Sequence, residues 1–117
     1  MKSDIVLKAL QDIVGEEWAT SDEATLVPYS YDIGGLSTPS RPAGRGEFVV
    51  MPQTVEQIQE IIKLANIEKV PVTPIVFGSN MGGVAIPLEG GIVLDLHRMN
   101  KIIEVNEVDN YAIVEPG

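Results

Sequence analysis

The chain has no cysteine and a single histidine, His97. The first absence excludes disulfides, thiolate metal sites and iron–sulfur ligation within the chain. The second excludes a His-rich metal site. Basic residues are scarce too: eight Lys and Arg stand against seventeen Asp and Glu, for a formal net charge of −9. Such a chain repels nucleic acid and anionic membranes, so neither is expected as a partner. Arg41 and Arg45 make only a small local exception. No apolar run approaches the length of a membrane span. The start, residues 1–10, carries charge inside its apolar pattern, at Asp4 and Lys8, and so does not read as a signal peptide. A cytoplasmic setting is therefore the expectation. The 117 residues, with an apolar share of 44%, suffice for one domain at most.

What is present is organised around residues 70–87. An apolar run, Val70-Pro71-Val72-Thr73-Pro74-Ile75-Val76, breaks at Phe77-Gly78 into a small, polar, glycine-bearing loop. Glycine permits backbone angles closed to other residues and lets a ligand approach the main chain. Several N–H groups converging on one point form an anion-binding concavity. Gly78, Ser79, Asn80, Gly82 and Gly83 suit that role, with the Ser79 hydroxyl and Asn80 amide as further donors. The alternative is a plain connecting loop.

In chain order, residues 4–14 read as an amphipathic helix with Ile5, Val6, Ala9, Leu10, Ile13 and Val14 on one face. Ser3 or Asp4 starts it, and Gly15 stands where a left-handed cap would end it. Thr20 and Glu23 have capping-box spacing for a second, short helix stopped by Pro28. Trp18, between the two, reads as a packing residue rather than a ligand contact, and the same holds for Tyr29 and Tyr31. Asp32–Gly46 contains four glycines and two prolines and reads as a long loop between an N-terminal helical segment, residues 1–46, and a β-rich unit, residues 47–117. Glu47–Met51 is a short strand closed by Pro52. Thr54 and Gln57 form a capping box for a helix ending near Glu68, with Val55, Ile58, Ile61, Ile62 and Ala65 as its apolar stripe. Strand, helix and strand with short links predict a parallel pair joined by a right-handed crossover. Ligands on such units sit beyond the carboxyl ends of the strands, where the glycine loop falls. Ile92–Leu96 is a further strand. Lys101–Val105 and Tyr111–Glu115 form a half-buried antiparallel pair around Asn106–Asn110. The fold class is α+β: N-terminal helices, then a βαβ unit of short parallel strands leading into a partly antiparallel sheet.

Familiar catalytic patterns fail. A P-loop needs Lys after its last glycine, and Val84 stands there. The GxGxxG fingerprint is absent, and the loop leads toward a strand rather than a helix. One histidine supports no nucleophile–His–acid set. His97 and Asp95 read as structural hydrogen-bonders, and Glu104, Glu107 and Asp109 as a solvated face.

The order and spacing of several pieces are nonetheless specific. They are Met51-Pro52, Thr54-Val55-Glu56-Gln57-Ile58, Val72-Thr73-Pro74, Gly78-Ser79-Asn80 with Gly82-Gly83, Ile92-Val93-Leu94-Asp95-Leu96 with Met99-Asn100, and Val114-Glu115-Pro116-Gly117. Together, over Phe48–Gly117, they resemble the first half of the FAD-binding domain of the FAD-linked oxidases, the vanillyl-alcohol oxidase and p-cresol methylhydroxylase type. Within that group the likeness is greatest to the glycolate oxidase and D-lactate dehydrogenase flavin subunits. The resemblance implies that Val76, Phe77, Gly78, Ser79, Asn80, Met81, Gly82 and Gly83 cradle the FAD pyrophosphate, with Pro116 and Gly117 also near the flavin. It implies an enzyme that, when complete, oxidises a 2-hydroxy acid by hydride transfer to FAD. The family loop commonly reads Arg-Gly-Gly-Gly before Thr or Ser, whereas Ile75-Val76-Phe77-Gly78 precede Ser79 here; phenol-oxidising relatives also lack that Arg. No His lies in the loop, so FAD held there is expected to be non-covalent. The family domain and its substrate domain continue past this length, and the family's catalytic residues lie in those parts. The resemblance therefore assigns no catalytic residue here, and the chain alone is expected to be inactive. Alternatives are a non-catalytic truncated module with weak or no FAD binding, or an acidic interaction domain. The remainder of the oxidase or a companion subunit is the expected partner. An unpaired sheet edge predicts self-association of the isolated chain.

Overall fold

The computed structural model describes residues 2–38, 40–79 and 81–117. Helix α1 (Lys2–Val14) turns Val6, Leu10 and Val14 inward at helical spacing. It ends at Gly15, whose φ of +103° is closed to most residues and whose N–H returns to the Gln11 carbonyl at 2.7 Å. Strand β1 (Ala19–Thr20) and the four-residue helix α2 (Glu23–Leu26) follow. The cap of α2 is Asp22, not Thr20: the Asp22 carboxylate accepts from the Thr25 N–H at 2.9 Å. The Thr20 hydroxyl instead accepts from the Asp22 N–H, because Thr20 is committed to β1. A 3₁₀ turn over Val27–Ser30 leads into the long loop.

Strands β2 (Phe48–Val50), β3 (Val72–Ile75) and β4 (Ile92–Asp95) are parallel, and α3 (Val55–Glu68) lies between β2 and β3 in sequence. The Thr54 hydroxyl accepts from Gln57 N–H, while the Gln57 side chain accepts from Gln53 N–H. The expected pairing of the two strands flanking α3 does not form. The sheet order is β1-β2-β4-β3, so β4 is inserted between them. The physical reason is burial: all of β4 is buried, as a strand with neighbours on both sides must be, whereas β3 is only half-buried. β3 carries Pro74, which has no N–H to donate and is tolerated on an edge.

Alternate residues of β2 and β4 face opposite ways. Phe48, Val50, Ile92 and Leu94 pack with α1 and with Ile61 and Ala65 of α3. Val49 and Val93 pack with Leu26, Tyr29, Met51 and Ile75 on the other face. Val55 and Ile62, expected in the α3 stripe, are exposed; the buried contact of α3 is narrower than its apolar pattern. Trp18 does pack: the Arg98 guanidinium lies 3.7 Å over its ring and also donates to the Met51 carbonyl.

Strands β5 (Ile102–Asn106) and β6 (Tyr111–Val114) form a separate antiparallel ribbon. The turn is held by the Asn106 side chain, which accepts from Val108 and Asp109 N–H groups. The ribbon is exposed rather than half-buried, Ile102, Val105 and Val114 included, since no other described element covers either of its faces.

Candidate functional site

The loop 76–83 leaves the carboxyl end of β3, where Ile75 is in register with Asp95 of β4. It therefore stands at the end of a parallel run where ligands of such sheets bind. Val76 is half-buried, Phe77, Ser79, Met81 and Gly82 are exposed, and Gly83 is buried. Asn80 lies outside the described residues. Gly78 and Gly83 have φ of +64° and +73°, angles that glycine takes without strain. Among the described residues, the N–H groups of Phe77, Gly78, Ser79, Met81 and Gly82 have no main-chain acceptor. They are the donors a bound anion requires. The Gly83 N–H differs, since it donates to the Asp32 carboxylate at 2.8 Å. Its place in the loop rests on conformation: a Cβ there would lie 2.6 Å from Leu36 Cδ2.

The long loop after Ser30 is thus part of the site's wall. The Asp32 carboxylate ties Gly34 N–H and Gly83 N–H together, and a Cβ on Gly34 would overlap the Met81 carbonyl. Sequence reasoning did not single out Asp32. Its signal is the Asp-x-Gly spacing that makes an Asx turn. A cleft of about 560 Å³ also lies along this loop, lined by Gly35, Leu36, Thr38, Arg41, Pro42 and Ala43. Arg45 is not part of a free basic patch, because it donates to Glu23 at 2.6 Å.

Gly117 reaches the same end of the sheet. Its N–H donates to the Met99 carbonyl at 2.7 Å, and a Cβ would come within 2.4 Å of the Leu96 carbonyl and 2.7 Å of that of His97. Pro116 beside it is exposed. Segment 96–99 is where the two predicted parts of the site meet, for the Phe77 ring approaches the His97 ring edge-on at 5.1 Å. Beneath them Asp95 is buried. It accepts from the Tyr29 hydroxyl at 2.6 Å and faces His97 Nδ1 at 2.5 Å. Burial, and then the hydrogen bond to Asp95 and its charge, hold the Tyr29 phenol well above its ordinary range. Asp95, His97 and Tyr29 are thus hydrogen-bonded as a group.

Residues 46–117, more than half of the chain, match the FAD binding domain family. The chain belongs to that family. This FAD-binding domain is 37% identical over 114 residues to glycolate oxidase subunit GlcD of Escherichia coli, covering 96% of this chain and 21% of the relative. It is 36% identical over 108 residues to the flavoprotein subunit of 4-cresol dehydrogenase [hydroxylating] from Pseudomonas putida, covering 90% and 20%. The crystal structure of p-cresol methylhydroxylase with substrate bound superposes with a TM-score of 0.86 at 32% identity, over 99% of this chain and 22% of that one. The chain thus spans about a fifth of the length of these relatives. FAD is the cofactor of the domain. The residues present fit its anionic diphosphate: among the described residues five loop N–H groups lack main-chain acceptors, Gly78 and Gly83 have positive φ, and, its chain neighbours aside, a Cβ on Gly82 would meet only Val84 Cγ2 within 4 Å. Among the described residues there is no cluster of potential metal ligands and no helix long and apolar enough to cross a membrane.

Proposed function

We propose that this domain holds FAD non-covalently through Val76–Gly83 and Pro116-Gly117, as part of an oxidoreductase that oxidises a 2-hydroxy acid of the glycolate or lactate type. The observation that carries the binding part is the set of loop N–H groups that, among the described residues, have no main-chain acceptor, at the carboxyl ends of β3 and β4. The likeness to a glycolate oxidase subunit supports the substrate class. When bound, FAD supplies the hydride acceptor. The chain's own work is to fix the diphosphate: Phe77, Gly78, Ser79, Met81 and Gly82 offer N–H donors, Asp32 holds Gly83 and so the loop's exit, and Gly117 approaches segment 96–99 as only a residue without a Cβ can. A phenolic substrate is the second reading. It is favoured by the similar identity to the 4-cresol dehydrogenase subunit and by Ile75-Val76-Phe77 standing where Arg-Gly-Gly is common. The remainder of an oxidase or a companion subunit completes the site, in a cytoplasmic setting. The isolated chain self-associates through exposed apolar surface on β5 and β6.

The test is titration of the 117-residue chain with FAD, followed by flavin fluorescence and calorimetry, with AMP and FMN as controls. Saturable FAD binding that Gly82→Trp weakens while folding is unchanged supports the cradle. Absence of saturable binding, or binding indifferent to Gly82→Trp, refutes it. In the assembled oxidoreductase, anaerobic bleaching of the flavin by glycolate or D-lactate supports the first substrate reading, and bleaching by 4-alkylphenols alone supports the second.

A further inference from the structure

The proposed function leaves one polar cluster unused, formed by Asp95, His97 and Tyr29 at the carboxyl end of the central parallel strand. Asp95 is 2% exposed. Its Oδ2 accepts from the Tyr29 hydroxyl at 2.6 Å, and its Oδ1 accepts from the His97 backbone N–H at 3.0 Å and faces the ring Nδ1 at 2.5 Å. An ionised carboxylate only accepts, so the proton belongs on Nδ1. That fixes the ring's orientation and makes Nε2 the nitrogen available to a ligand. Tyr29 remains a phenol and donates to the other oxygen, so it does not compete for the proton. The His97 side chain is nevertheless 46% exposed, and its ring touches Phe77 of the cradle. A buried carboxylate thus aims a half-exposed imidazole beside the loop that offers N–H donors.

We propose that His97 contacts the cofactor, its Nε2 hydrogen-bonding the diphosphate bridge of FAD, with Asp95 as the residue that positions it. The inference rests on the FAD reading of the same loop. To bridge the Asp95 carboxylate and the diphosphate, the ring carries a proton on each nitrogen, Nδ1 toward Asp95 and Nε2 toward the ligand. The loop's N–H groups and the imidazole then approach the diphosphate from neighbouring strand ends. The Phe77 ring lies edge-on to the imidazole at 5.1 Å.

Two substitutions separate this role from a purely structural one. An Asn amide reaches the position of Nδ1 and retains the Asp95 contact but lacks Nε2; a Gln amide reaches toward Nε2. FAD dissociation constants of the 117-residue chain are measured by fluorescence for wild type, His97→Asn and His97→Gln, with ADP and riboflavin as competitors and thermal unfolding as the control. The expected result is a loss of about tenfold or more for FAD and ADP in His97→Asn, within the range of a lost charge-assisted hydrogen bond. His97→Gln loses less, and riboflavin binding is unchanged in both. His97→Asn binding FAD like wild type, or His97→Gln being the weaker of the two, overturns the contact. An equal loss for riboflavin overturns its assignment to the diphosphate. Failure of wild type to bind FAD refutes the FAD reading itself and this inference with it, whereas normal wild-type binding with an indifferent His97→Asn refutes this inference alone.

Discussion

Replacing Gly83 with Ala tests whether the loop is held in the conformation described. Two costs add. Gly83 has φ of +73°, and placing a non-glycine residue in the left-handed region costs about 1–2 kcal/mol. The new Cβ would also lie 2.6 Å from Leu36 Cδ2. Leu36 is 60% exposed, so its side chain yields by leaving its rotamer, at about 0.5–1 kcal/mol. The sum, about 2 kcal/mol, corresponds to a fall of about 8 °C in Tm for a domain of this size. Gly82→Ala is the matched control: its φ is not positive and, among the described residues outside its chain neighbours, its Cβ would meet only Val84 Cγ2 at 3.9 Å, so the expected change is within about 0.5 kcal/mol. Leu36→Ala in the Gly83→Ala background removes the collision but not the backbone strain, and should recover the smaller share. The assay is urea unfolding followed by circular dichroism. Equal costs at Gly82 and Gly83, or full recovery by Leu36→Ala, would refute the reasoning.

Other consequences are as direct. Tyr29→Phe strips the buried Asp95 of one donor and should cost about 1–3 kcal/mol. Because folding raises the Tyr29 pKa, its contribution is whole below the ordinary phenol value of about 10 and is lost as pH rises through the folded value; a wild-type stability profile without an alkaline decline beyond that of Tyr29→Phe contradicts this. Ile61→Ala, at a fully buried position, should destabilise by about 2–5 kcal/mol, while Ile62→Ala next to it, 38% exposed, should cost well under half as much; comparable urea midpoints would show the α3 face to be misassigned. Val105→Lys on the exposed ribbon should reduce self-association in sedimentation velocity with little loss of stability, and a wild-type chain that sediments as a monomer at high micromolar concentration disposes of the idea.

Apart from β1, most elements of this chain are local and were legible in its residues. Thr54 and Gln57 announced α3 because a capping box satisfies donors only a few residues away. Glycine spacing located the loop at the end of β3, and the ordered pieces from Met51 to Gly117 carried the family. Thr20 misled because the competing claim on it, pairing of β1 with β2, comes from Val49, far along the chain. The sheet order was beyond reach for the same reason: two parallel strands flanking a helix look alike in sequence whether they pair directly or admit β4 between them. Only burial on both sides of β4 decides it. The ribbon misled in the other direction, since an apolar alternation states what a strand is able to cover and not whether anything covers it. Sequence by itself therefore determined most of the element types, the glycine-bearing loop and the membership in the FAD-binding family. Tertiary structure alone brought Asp32 to Gly83, Tyr29 to Asp95 and Phe77 to His97, because each of those contacts closes a long loop, and no local propensity encodes which distant partner a polar side chain will meet.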